Sequence, residues 1–113
     1  MILVNLGALI TLLLGLLAVI RPDVIQRFVS IRAVGKEGRS ELKATYGGFF
    51  IAIALYALVT QSYTAFTVLA VGWLGAALVR AMTLCQGAFS WRNLGGVLFE
   101  AIVGGLCLAR QLS

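Results

Sequence analysis

Two ionisable residues stand inside otherwise apolar stretches of this 113-residue chain, Arg80 and Glu100, and they set the chemistry open to it. A charge inside hydrocarbon is costly enough to mark either a functional position or a paired structural clamp. The chain has no histidine, and its two cysteines, Cys85 and Cys107, lack a CxxC partner. Zinc-hydrolase, haem and Ser-His-Asp chemistry are excluded on that inventory, and no GxSxG, GxGxxG or phosphate-loop pattern is present. The stretch Gly35 to Ser40 reads as a charged turn. A lipid-directed enzyme would have only Glu41 or Glu100 as acid-base and Tyr46 as donor, with no nucleophile, metal or second close carboxylate. The chain therefore reads as non-enzymatic, with no cofactor.

Arg80 and Glu100 are equidistant from Ser90. If a helical hairpin turns there, the two side chains stand at the same depth, roughly 7–10 Å inside the boundary at 1.5 Å per residue, and form an ion pair. Gly72, Ala76 and Arg80 recur every four residues on one helix, as do Gly96, Glu100 and Gly104 on the next. In the register that sets Arg80 opposite Glu100, Ala76 meets Gly104 and Leu84 meets Gly96, so small residues bring the backbones close. Glu41, Lys43, Thr45 and Tyr46 are expected near that depth on a preceding helix. Together with the pair they make a polar cluster open towards the cytoplasm, and the pair serves either a ligand or a structural clamp.

The elements that must position these residues follow from composition. The chain is 61% hydrophobic and 12% charged, too apolar for a soluble globule or a disordered chain. Four apolar segments, 2–20, 42–60, 65–85 and 94–109, are each about long enough to span ~30 Å of hydrocarbon as a helix, and lack the alternation of barrel strands. The expectation is a single-domain, all-α integral membrane four-helix bundle. Its two later connections are short, so the second and third helices, and the third and fourth, should be antiparallel neighbours. The first segment lacks a basic leader and an A-x-A site and is read as a retained helix.

The net charge of +5 concentrates at one set of connections. Arg21, Arg27, Arg32, Lys36, Arg39 and Lys43 lie in or beside the first and Arg92 in the third, while Gln61 to Thr64 carries no charge. By the positive-inside rule the basic connections are cytoplasmic and both termini lie outside. Anionic lipid headgroups, rather than nucleic acid, are the nearer partner. Between 23 and 34, Val24, Ile25, Phe28, Val29 and Ile31 share an arc opposite Asp23, Gln26, Arg27 and Ser30, with Arg32 left to snorkel. This pattern predicts a short amphipathic interfacial helix, with Pro22 at its first position. Ser40 is the expected N-cap of the second long helix. Gly47-Gly48, Gly95-Gly96 and Gly104-Gly105 read as packing residues, Trp73 as buried or lipid-facing, and Trp91 and Tyr63 as an aromatic belt. Cys85 and Cys107 fall near opposite faces, too far apart for a disulfide. Asn5 carries no evident signal.

The run Gly38-Arg39-Ser40-Glu41-Leu42-Lys43-Ala44-Thr45-Tyr46-Gly47-Gly48 resembles an uncharacterised family of small bacterial four-helix membrane proteins, broadly similar to DoxX-like proteins. Arg21-Pro22, Arg80 followed by Gly87, and Glu100 fit the same pattern, which spans nearly the whole chain. Lys43 replaces the family's usual arginine and weakens any bidentate role there. The resemblance implies an inner-membrane bundle with Arg39, Glu41, Tyr46, Arg80 and Glu100 as its polar set, and its wider neighbourhood implies proteins that accompany other membrane proteins. Two functions are therefore expected. One is an accessory or assembly protein that binds a membrane-protein partner, or its own copy, through glycine-rich faces. The other is a carrier or binding bundle for a small amphipathic or lipid-like ligand, with Arg80 on an anionic head and Glu100 modulating it.

Overall fold

The computed structural model describes residues 2–29, 33–87 and 90–112. Every regular element among them is helical: α1 (Ile2–Ile20), α2 (Pro22–Val29), α3 (Gly35–Thr60), α4 (Tyr63–Cys85) and α5 (Trp91–Leu112). Four helices are long and apolar enough to cross a membrane, α1, α3, α4 and the Trp91–Ala109 part of α5.

The second long helix starts at Gly35, well before the expected Leu42. Ser40 therefore lies inside it rather than capping it, and the N-cap position is Val34, whose side chain makes no capping bond. The charged 35–40 stretch is the first part of α3, not a turn. Its ladder slips to π geometry over Lys43–Gly48 and resumes as α-helix from Phe49 without a break. The slip coincides with Gly47-Gly48, the weakest helix formers in the segment. α2 begins at Pro22 as expected but is shorter than 23–34, since Ala33 and Val34 are not helical. Of its expected arc, the side chains of Phe28 and Val29, and Ser30, Ile31 and Arg32 entirely, lie outside the described residues. Ile25 is buried with Ala18 and Leu42, and Gln26 Oε1 accepts the Ala33 N–H at 2.7 Å, so α2 is docked on α1 and α3. Ser62 caps α4, accepting the Ala65 N–H at 3.4 Å. Ser90 caps α5, accepting the Asn93 N–H at 3.0 Å, so α5 begins ahead of the expected residue 94.

The helices are not arranged as a closed square. α1 occupies the middle, packed on α3 along one side and α5 along the other, and α4 packs on α5. Extents of 41 × 32 × 16 Å describe a curved row of helices, since a square bundle at about 8–10 Å spacing would be nearly as deep as wide. α3 and α4, expected as neighbours because two residues join them, touch little beyond that joint. The reason lies in where the small residues fall. A Cβ at Gly15 would lie 3.0 Å from the Gly47 carbonyl oxygen and one at Gly47 would lie 2.5 Å from Val19 Cγ2, so α3 is drawn onto α1. On the other flank, a Cβ at Gly7 would meet Cys107 Sγ at 2.6 Å, drawing α5 onto α1. α4 follows α5, and the end of the row is left apart from α3.

The core is correspondingly thin: Val4, Ala8, Phe66, Ala70, Val103 and Cys107 are buried, while Leu13, Val59, Leu78 and Ile102 are exposed. That exposure fits helices solvated by lipid better than water, in which such a surface would associate. Asn5, which gave no signal in the sequence, accepts a hydrogen bond from Gln61 Nε2 at 2.9 Å and ties the start of α1 to the α3–α4 joint. Gln61 itself adopts a left-handed φ of 52° to end α3.

Candidate functional site

The gap between α3 and α4 is a cleft of about 950 Å³ that reaches α1 and α5. It is open along one side, because Phe49 of α3 and Val68 and Val79 of α4 line it and are themselves exposed. Its apolar part is built round an aromatic row. Tyr46 meets Phe50 at 5.9 Å, Phe50 meets Trp73 at 5.5 Å, and Trp73 meets Phe99 at 5.9 Å, each pair edge to face. This geometry suits the ring quadrupoles and joins α3, α4 and α5 across the gap. The π segment places Tyr46 at the start of the row.

Trp73 is held from behind by α1. Its Nε1–H donates to Thr11 Oγ1 at 3.0 Å, and the Thr11 hydroxyl donates to the Gly7 carbonyl at 2.9 Å. Thr11 is 1% exposed, and the two bonds use its hydroxyl both as donor and as acceptor. Of the two placements expected for Trp73, buried or lipid-facing, the half-buried ring takes the packed one.

At the end of the cleft where the basic connections lie, Arg80 Nε donates to Glu100 Oε1 at 2.7 Å and Nη2 donates to Oε2 at 3.4 Å. The pair is a fork on a carboxylate. Arg80 Nη1 also donates to Asn93 Oδ1 at 3.3 Å. The Glu100 side chain is 11% exposed and that of Arg80 31%, so the carboxylate is enclosed and the cation looks into the cleft. Among the described residues no buried side-chain nitrogen or oxygen lacks a partner.

The expected register is corrected by the glycines. Arg80 does reach Glu100, but its side chain crosses Gly96 to do so, where an added Cβ would stand 3.0 Å from Arg80 Cδ. Gly96 thus faces Arg80, not Leu84, and Gly104 faces Trp73 and Leu74, not Ala76. Gly72 and Ala76 are not packing residues: both are exposed and line the cleft, and a Cβ at Gly72 would meet nothing within 4 Å. The arginine side chain is long, so partners at its tip need not lie opposite at the backbone. In each glycine doublet one member packs and the other, Gly48, Gly95 or Gly105, faces open space.

Of the expected polar set the structure brings together Tyr46, Arg80 and Glu100. Arg39 and Glu41 are exposed and outside the cleft, and Glu41 instead accepts from Thr45 Oγ1 at 3.5 Å, one turn along α3. Lys43 is exposed as well. The earlier start of α3 turns this charged run away from the α4–α5 pair. In its place the cleft acquires Thr83, Arg92 and Asn93. Arg92 was read only as a topology signal and Thr11 not at all, although Gly7, Thr11 and Gly15 recur every four residues and mark the inward face of α1. Cys107 is buried beside Gly7 and Cys85 is exposed at the other end, and both are free thiols.

Outside the cleft, Arg21 donates to both Asp23 carboxylate oxygens at 3.3 Å, with Arg27 at 3.9 Å. The hydrogen bond from Arg21 holds the Asp23 carboxyl below its ordinary value of 3.8, with the nearby charges of Arg21 and Arg27 adding to it against desolvation. Among the described residues no cluster of three or more His, Cys, Asp or Glu is placed to hold a metal ion.

No family model, curated protein or solved structure matches this chain.

Proposed function

We propose that the chain crosses a membrane four times and binds a small amphipathic, lipid-like molecule in the cleft between α3 and α4. The observation that carries this reading is the joining, in one laterally open cleft, of an aromatic row with the Arg80–Glu100 fork and Arg92. Ligand sites are concave and mostly apolar with a few convergent polar groups, and this cleft has that composition. The basic connections face the cytoplasm of a bacterial inner membrane and both termini lie outside, so the charged end of the cleft is its cytoplasmic end. α2 lies along that surface. Trp73 is the reporter for the test. In protein carrying Trp91→Phe, a lipid with a dibrominated chain quenches Trp73 fluorescence, and the same lipid without bromine does not. Absence of quenching by any brominated chain would overturn the reading.

A second reading, the accessory protein, is favoured by the outward faces of Gly75 and Gly105, each with nothing within 4 Å of an added Cβ. Such faces let another helix approach closely. Replacing both with leucine would abolish co-purification of a partner, and association that survives would sink it. A DoxX-like affiliation, resting on the 38–48 run, is compatible with either reading.

A further inference from the structure

The head chemistry of the ligand is written in the charges of the cleft. Among the described residues that line it, the charged side chains are Arg80, Arg92 and Glu100, two cations against one carboxylate. Glu100 is committed to Arg80 through both its oxygens. Arg92 is exposed at the start of α5 and makes no ion pair among the described residues. The cleft thus presents one uncompensated positive charge at its polar end, with the Arg80 Nη1 side and Asn93 next to it. A quaternary ammonium would find no carboxylate to receive it, because the one present is already forked by Arg80. An oxyanion finds two guanidinium groups, the donors best matched to carboxylate or phosphate. The volume, about 950 Å³, lies at the upper end of the roughly 300–1,000 Å³ of small-ligand pockets, which is the scale of one apolar chain.

We propose that the ligand is a single-chain membrane amphiphile whose head is an oxyanion with one net negative charge, held between Arg92 and Arg80, with its chain entering sideways between α3 and α4 to lie along the aromatic row. This rests on the reading of the cleft as a ligand site. Glu100 acts here as a positioning residue: it fixes the Arg80 guanidinium through Nε and Nη2, so that Nη1, which donates to Asn93 Oδ1, is the nitrogen that shares the head.

The test uses purified full-length protein carrying Trp91→Phe in non-ionic detergent, with dibrominated stearate as the quenching reporter of Trp73. Unbrominated stearate and stearoyl lysophosphatidylglycerol, both singly anionic, displace the reporter. Stearoyl lysophosphatidylcholine keeps the chain and the phosphate but carries a choline cation that cancels the head's net charge and is repelled by the uncompensated cation of the cleft, and it displaces the reporter at least about tenfold more weakly, a difference of about 1.4 kcal/mol. Arg92→Gln removes the difference between the heads and Arg92→Lys keeps most of it. Arg92 is exposed at a helix end, so these variants fold. Inorganic phosphate alone does not displace the reporter. Equal displacement by the three lipids, an unchanged preference in Arg92→Gln, or displacement by phosphate would each overturn the proposal while Trp73 quenching persists. If no brominated chain quenches Trp73 at all, it is the ligand reading of the cleft that fails.

Discussion

Glu100 is enclosed while Arg80 is about a third exposed, and this asymmetry decides what each substitution does. Removing the cation strands a carboxylate in a low-dielectric site, whereas Glu100→Gln keeps an acceptor for Arg80 and leaves the cation access to the cleft. Arg80→Gln is therefore expected to lower the thermal stability of the detergent-solubilised protein more than Glu100→Gln. Its cost is on the order of 2–3 kcal/mol, below the range for breaking a fully buried pair because Arg80 is partly solvated. Equal losses would mean that the pair is not enclosed as described. The pair was legible in the sequence because two charges equidistant from Ser90 have one simple explanation in a helical hairpin. Arg92 was not, because a cation near a helix end ordinarily reports topology, and only the packing of α5 on α4 turns it into the cleft.

At the scale of elements, α1 is the organiser. Its Gly7, Thr11 and Gly15 take α5, Trp73 and α3 in turn, and the closeness of these approaches makes the consequence sharp. Gly15→Ala is expected to destabilise by about 1–3 kcal/mol, since the methyl meets backbone as well as side chain. Gly75→Ala, with nothing within 4 Å, should be neutral or stabilising by up to about 1 kcal/mol through helix propensity. Thermal midpoints of the two variants in one detergent check the contrast. The four long helices were legible as apolar runs, but their order in space was not. Uniform apolarity hides which face of α1 is inward, and only the spacing of its small residues points to it. The π turn at Lys43–Gly48 likewise has no charge or polarity signature beyond the glycine doublet.

α2 adds a pH effect whose sign is fixed. Asp23 titrates below its ordinary value when folded because Arg21 donates to it. The contribution is present above the ordinary value and lost as pH falls through the lowered one. Both groups are exposed, so the effect is small. The protection of the α2 amides, taken against their intrinsic exchange rate at each pH, should be unchanged around neutral pH and fall only under acid conditions that protonate Asp23. A loss of protection near neutrality would contradict the assignment.

For the whole molecule, the row of helices places the basic connections at one end and the termini with the α3–α4 joint at the other. Cys85, exposed at the basic end, should react with an impermeant maleimide only after the membrane is opened, while a cysteine placed at Ser62 should react from outside. The reverse pattern would invert the topology. Native mass spectrometry of the protein extracted gently from its own membrane asks in one spectrum whether the open side of the row holds a lipid-like ligand. The expected spectrum is the chain carrying one discrete small mass that is lost when Arg80 is replaced by glutamine. The chain without any such mass, or with a stoichiometric second polypeptide in its place, would contradict it.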